Sequence, residues 1–132
     1  MAKILVIDDD PAIGMIIQIA LTMDGHEVVV RTDALDGLAL MQNDAIPDLV
    51  LTDLIMGIMN GRDFIQKMRL DPRLSSIPTV VITGCIPQPG ILPETNQYQG
   101  LLIKPFCIED LISTVARLTT KADSYCRSPV AV

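Results

Sequence analysis

A chain of 132 residues is long enough to bury one hydrophobic core of ordinary domain size. Hydrophobic residues make up 49% of it, yet it holds two Phe, two Tyr and no Trp, so the core must be aliphatic, built from Ile, Leu, Val and Met. Ten Lys and Arg against 16 Asp and Glu leave a net charge of −6, and no basic cluster is present to hold a nucleic-acid backbone or an anionic membrane surface.

Short apolar runs alternate with helical patterns, the signature of a doubly wound parallel α/β sheet. The first strand is expected over Lys3–Ile7. A helix follows, with Asp10 as N-cap and Pro11 at the first helical position, where the missing N–H is least missed. Its inward stripe reads as Ile13, Ile16, Ile17, Ala20 and Leu21, and Asp24-Gly25 ends it. Glu27–Arg31 is a short second strand with charged ends, suited to a sheet edge. Asp33 caps the next helix, whose apolar face reads as Leu35, Leu38 and Ala39. The third strand covers 48–52 and stops at Asp53. A loop through Gly57 leads to Asn60, the cap of a helix that buries Phe64, Ile65 and Met68 and closes at Asp71-Pro72. Strand four covers 78–83 and strand five Gly100–Ile103. Between them, 85–99 carries Pro87, Pro89, Gly90 and Pro93 with no apolar stripe, so a long helix is not expected there. The last helix buries Ile108, Leu111, Ile112, Val115 and Leu118. The domain is read as 1–121, with a tail over 122–132.

Five residues at the carboxyl ends of these strands carry the chemistry: Asp8, Asp9, Asp53, Thr83 and Lys104. In an open α/β sheet that edge binds ligands, and strands one and three are neighbours at its switch point, so the three carboxylates converge. Carboxylates held together repel unless a cation neutralises them. Mg2+ suits the set, because it takes oxygen ligands, keeps several waters and is completed by phosphate. A carboxylate beside such a cation is also a nucleophile for a phosphoryl group. The Thr83 hydroxyl and the Lys104 ammonium suit the outer oxygens of that group. No Gly-rich nucleotide loop and no general base for a second substrate accompany them. Phosphate acceptance fits; nucleotide binding does not. Taken singly, acidic residues after strands are commonly caps, and a lone Thr or Lys is commonly structural. The joint register is what points to a site.

Other reactive residue types read as structural. Cys85, Cys107 and Cys126 are odd in number and follow no metal-ligand spacing, which fits reduced thiols in a cytoplasmic protein and small core residues. A strand begins almost at once, leaving no room for a signal peptide, and the apolar runs fall far short of the roughly 20 residues that span a bilayer. His26 reads as a surface-turn residue without a catalytic or ligand role, and the seven Met as core filler.

The stretches Ile4-Leu5-Val6-Ile7-Asp8-Asp9-Asp10, Asp48-Leu49-Val50-Leu51-Thr52-Asp53, Val81-Ile82-Thr83-Gly84 and Lys104-Pro105-Phe106 stand in order, with Asn60-Gly61 and Ile77-Pro78 between them. From Lys3 to about Leu118 the set resembles the receiver domain of two-component response regulators. The resemblance implies a flavodoxin-like five-stranded sheet of order 2-1-3-4-5, its fourth helix here shortened or irregular. It implies that a sensor histidine kinase or histidine phosphotransfer protein donates a phosphoryl group to Asp53. Asp9 and Asp53 would ligate Mg2+, Asp8 acting partly through water, with the backbone carbonyl of Met56, or alternatively of Ile55, completing the set. Thr83 and Lys104 would stabilise the phosphoryl group, and the Lys104-Pro105 bond would be cis, aiming the lysine at the site. Such a domain catalyses only its own phosphorylation and dephosphorylation. Output would be supplied in trans by a changed partner affinity, without direct nucleic-acid or membrane contact, and a homodimer is compatible with it.

Departures from the family pattern are as informative as the matches. Gly57 stands where the family usually has proline, after Met56, and is expected to loosen that loop. Leu101 occupies the switch position, three before the lysine, where many members carry Tyr or Phe. Leucine cannot reproduce a ring rotation. Together with the proline-rich segment, it motivates an alternative reading as a phosphorylation-independent interaction module. An aspartyl phosphatase would need a second Asp at Ile55, and a flavin-binding protein a hydroxyl- and Gly-rich first loop, so both fit poorly. Ile55 and Cys85 flank the expected phosphoryl site with poor hydrogen-bonding groups, so Ile55→Asn is expected to change the decay rate of phospho-Asp53, followed by the loss of phosphorylated mass with time. An unchanged rate would remove that position from the control of lifetime.

Overall fold

In chain order the elements are β1 (Lys3–Ile7), α1 (Pro11–Met23), β2 (Glu27–Arg31), α2 (Ala34–Gln42), β3 (Leu49–Asp53), α3 (Gly61–Leu70), β4 (Thr79–Thr83), β5 (Gly100–Ile103) and α4 (Ile108–Thr119). They come from a computed structural model that describes residues 2–43, 46–54, 59–84 and 97–119. The strands form one parallel sheet in the order β2-β1-β3-β4-β5, the order expected. The expected tail and most of the proline-rich segment lie outside the described residues.

Alternation along each strand feeds two cores, because successive side chains leave opposite faces of a sheet. Leu5, Ile7, Val50 and Val81 pack under α2 and α3 with Leu38, Met41, Phe64 and Met68. Ile4, Val6, Leu49, Leu51, Val80 and Ile82 pack under α1 and α4 with Ile17, Leu21, Leu111 and Val115. β3 and β4 lie in the middle and are buried at every position, as a sheet covered on both faces requires.

Local signals set the helix boundaries as expected. Asp10 accepts from the Ala12 N–H at 2.9 Å, Asp33 from Leu35 at 2.7 Å and Asn60 from Asp63 at 2.8 Å. Each such cap is worth about 1 kcal/mol. Gly25, at φ 95, takes the left-handed turn that leaves α1.

Helix faces are where the sequence reading fails, and two glycines explain it. A Cβ at Gly14 would stand 2.8 Å from Val30 Cγ1, and one at Gly37 would stand 2.4 Å from Ile7 Cδ1. These glycines are the points of closest approach to the sheet. They rotate α1 onto Gly14, Ile17 and Leu21, and α2 onto Ala34, Gly37, Leu38 and Met41. Ile16 is therefore 50% exposed and Leu35 44%, and Ala39 is exposed as well. Counting large apolar residues alone missed the contact residues. On α4, Leu111, Val115 and Leu118 are buried as expected, whereas Ile108, at the helix start, is 40% exposed. Met41 and Met68 fill core space, but Met15 and Met23 face water, and Cys107 is exposed rather than part of the core.

At the amino ends of the strands, Arg69 of α3 ties the helix to the approach into β5. It donates through Nη2 to Gln97 O at 2.6 Å and to Thr79 Oγ1 at 3.1 Å. Burial pulls its pKa below the usual value for arginine.

Phe64 is fully buried and is the largest side chain in the core shared by α2 and α3. Phe64→Ala is expected to lower unfolding stability by about 3–5 kcal/mol, measured by denaturant titration.

Candidate functional site

Parallel register delivers the predicted residues to one edge. Ile7 pairs with Thr52, which sets Asp8 beside Asp53, and Asp53 lies level with Ile82 of β4. Thr83 lies level with Ile103, immediately before Lys104, and the Lys104 N–H donates to Thr83 O at 2.7 Å. Carboxylate oxygens of Asp8, Asp9 and Asp53 all fall within 4.8 Å of one another. Asp8 is wholly buried, Asp53 and Thr83 nearly so, and Asp9 is exposed at the rim.

Lys104 reaches into this cluster. Its Nζ lies 3.2 Å from Asp8 Oδ2 and 3.5 Å from Asp53 Oδ2. The first contact is a charge contact without hydrogen-bond direction, so the buried Asp8 Oδ2 accepts no hydrogen bond. The other oxygens are held by backbone: Asp8 Oδ1 accepts from the Asp10 N–H at 2.9 Å, and Asp53 Oδ1 from the Leu54 N–H at 2.9 Å.

One ammonium thus faces two buried carboxylates, with a third at the rim. Burial pushes the Asp53 carboxyl up from 3.8, and the Asp8 charge pushes it further. Lys104 and the Leu54 N–H pull it back, leaving a pKa of about 6. For Lys104, burial acts to lower the pKa, but attraction to Asp53 and then Asp8 outweighs it and holds the ammonium above its usual value. The pocket therefore carries more negative charge than its lysine neutralises. A hard divalent cation fits that excess: the donors are carboxylate oxygens, and Asp8 Oδ2 is held by the charge of Lys104 alone.

Several contributors had no signal in the sequence. The Leu54 N–H is a backbone donor. In the sequence Gly61 stands out only beside Asn60, yet a Cβ there would stand 2.3 Å from the Asp53 carbonyl oxygen and 3.0 Å from Leu54 Cα. α3 can seat its first residue against the carboxylate strand only without that atom. The Lys104-Pro105 bond is cis, as expected. Leu101 sits in the edge strand β5, 37% exposed. Met56, Ile55, Gly57 and Cys85 lie outside the described residues. His26 is structural: Nδ1 accepts the Ala2 N–H at 3.1 Å and Nε2 lies 3.4 Å from Asp24, but its side chain is only 10% exposed and so less superficial than expected.

Residues 4–116 match the family model described as the response regulator receiver domain. The chain belongs to that family. RpaA of Synechocystis, described as a DNA-binding dual master transcriptional regulator, is 35% identical over 125 residues, covering 93% of this chain and 51% of RpaA. This receiver thus spans about half the length of that relative. Protein PilH of Pseudomonas aeruginosa is 34% identical over 116 residues, covering 87% of this chain and 95% of PilH. Among solved structures, the Mn(2+)-bound form of the response regulator Rcp1 superposes with a TM-score of 0.74 at 25% identity, covering 92% of this chain and 94% of that one. Among the described residues, no helix of the receiver is long and apolar enough to cross a membrane.

Because its pKa is raised, Asp53 binds a proton more tightly in the folded chain than in the unfolded one. Its ionised form therefore costs stability near neutral pH, and the cost is relieved as pH falls from about 6 toward 3.8. Asp53→Asn is expected to raise the melting temperature in metal-free buffer at neutral pH, with the difference shrinking through that window, measured by scanning calorimetry.

Proposed function

We propose that this receiver accepts a phosphoryl group on Asp53 from the phosphohistidine of a histidine kinase or histidine phosphotransfer protein, and signals by a change in partner binding. The supporting observation is the convergence of Asp8, Asp9 and Asp53 within 4.8 Å, with Lys104 among them. In the transfer, an Asp53 oxygen forms a bond to phosphorus as the donor's N–P bond breaks, and the imidazole nitrogen keeps that electron pair. With a pKa of about 6, Asp53 is mostly ionised at neutral pH and needs no base to activate it.

Each neighbour has a role in this reading. Lys104 supplies positive charge to the arriving phosphoryl oxygens, and the Thr83 hydroxyl donates to another of them. The rigid backbone around Leu54 and Gly61 fixes the acceptor strand, so the carboxylate is already positioned when the donor arrives. Mg2+ would be held by Asp8, Asp9 and Asp53 with a backbone carbonyl of Met56 or Ile55, and when bound it would neutralise the excess charge of pocket and phosphate. The Mn(2+)-bound form of Rcp1 supports a divalent ion in this family.

The domain acts on itself alone, catalysing its own phosphorylation and dephosphorylation, and works in the cytoplasm. A net charge of −6 supports output through proteins rather than direct nucleic-acid contact, with those proteins supplied in trans. Leu101, partly exposed in β5, favours a switch that does not rely on an aromatic rotation.

Incubation with a small phosphodonor is expected to add one phosphoryl group, read by intact mass, only with Mg2+ and not in Asp53→Asn. Absence of the gain in the native chain would assign it to the phosphorylation-independent interaction modules instead.

A further inference from the structure

One helix touches the segments that deliver both charges of the site. α3 begins with Gly61, whose N–H donates to Leu54 O at 2.7 Å and whose missing Cβ lets it lie against the Asp53 carbonyl. Eight residues on, roughly 12 Å along the helix, the Arg69 guanidinium meets the chain that leads into β5. Its Nη2 and Nε both donate to Gln97 O, at 2.6 and 3.1 Å. Nη2 also donates to Thr79 Oγ1 at 3.1 Å and to Gln99 Oε1 at 3.4 Å, while Nη1 reaches the carbonyls of Leu74 and Ser75, each at 3.4 Å. These acceptors are neutral oxygens, so the half-buried cation is held by the geometry of its planar fork.

β5 is a strand for which such a tether matters. It is four residues long, lies at the sheet edge beside β4, and buries a single side chain, Leu102. Apolar burial therefore fixes its place along β4 only weakly. The polar node does so at its amino end. The Gln99 N–H donates to Thr79 O at 2.8 Å, and Gln99 Oε1 accepts the Thr79 N–H at 2.8 Å, so Gln99 holds both backbone groups of Thr79. From there the register runs from Val80↔Gly100 to Thr83↔Ile103, and the next residue is Lys104. A slip of one residue would carry the Lys104 backbone about 3.3 Å. That is as far as its Nζ now lies from Asp8 Oδ2, at 3.2 Å. We propose that Arg69 is a positioning residue for Lys104: acting from the amino ends of the strands, it fixes β5 against β4 and so sets the lysine beside Asp8 and Asp53 at the opposite edge. Through Gly61 the same helix seats the acceptor strand, so α3 gauges the separation of carboxylate and lysine. The consequence for phosphoryl transfer rests on the function proposed above; the placement of Lys104 does not.

Hydrogen exchange of the full chain, read by NMR, is expected to run about tenfold faster at the Gln99 and Lys104 amides in Arg69→Met, the factor that loss of one charge-assisted hydrogen bond produces, with the Asp48 amide unchanged. With a small phosphodonor and Mg2+, intact mass is expected to show Arg69→Met phosphorylated about tenfold more slowly, the scale on which a misplaced group costs rate. In a Lys104→Ala background the same substitution is expected to change the rate by less than about twofold, because its effect passes through that lysine. Arg69→Lys is expected to show the same losses, since one ammonium cannot hold the fork, and it replaces Arg69→Met in every arm if that variant fails to fold. Unchanged exchange at Gln99 and Lys104, equal acceleration at all three amides, a rate loss kept in full without Lys104, or full recovery with lysine would each overturn the proposal. If the native chain gains no phosphoryl group, transfer to Asp53 is what fails, and the exchange of the Lys104 amide alone decides whether Arg69 places that residue.

Discussion

Two carboxylates, Asp8 and Asp53, are buried side by side and share one lysine. Their repulsion is the constraint around which the rest of the domain is arranged. Left to itself, such a pair would swell the pocket or take up a proton; the Asp53 carboxyl is pushed up first by burial and then by the Asp8 charge. It is contained because each carboxylate projects from the end of a buried strand. β3 and β4 are covered on both faces, and the hydrogen bonds from Leu54 and Asp10 fix one oxygen of each acid. The apolar sheet supplies the rigidity that holds the charges together at one edge.

Close packing at three glycines decides how the helices sit on that sheet. Gly14 and Gly37 bring α1 and α2 against Val30 and Ile7, while Gly61 lets α3 begin against the Asp53 backbone. Interiors are dense enough that a single added carbon at such a point displaces its neighbours. The same contacts set what is left outside. Rotation of α1 onto Gly14 turns Ile16 and Ile19 to water, so a packing detail on the inner face creates the apolar stripe on the outer one.

Membership of the receiver family places this chain among proteins that differ in what surrounds the same unit. RpaA is about twice as long, whereas PilH is matched over nearly its full length. Residues 4–116, which hold the parallel sheet, are the part that the family model matches. At the periphery of this receiver lie Leu101 in the edge strand, the prolines between β4 and β5, and the uncharged outer face of α1.

The sequence by itself determined the strands, their order through resemblance, the capping residues and the strand-end placement of the candidate site residues. Those features are local or periodic: an apolar run marks a strand, Asp or Asn before a helix marks its start, and the strand-end position of Asp8, Asp53, Thr83 and Lys104 is visible in one dimension. Only the tertiary structure decided which side of each helix is inside. A helical stripe of five apolar residues on α1 is consistent with more than one rotation, and the choice rests on where a glycine permits closest approach. Only the fold, likewise, revealed that Asp8 Oδ2 lacks a hydrogen bond, that the Leu54 N–H holds Asp53, and that Gly61 lies against the backbone of Asp53 and Leu54. These are contacts between segments distant in the chain or between backbone atoms, and neither carries a mark in the residue types.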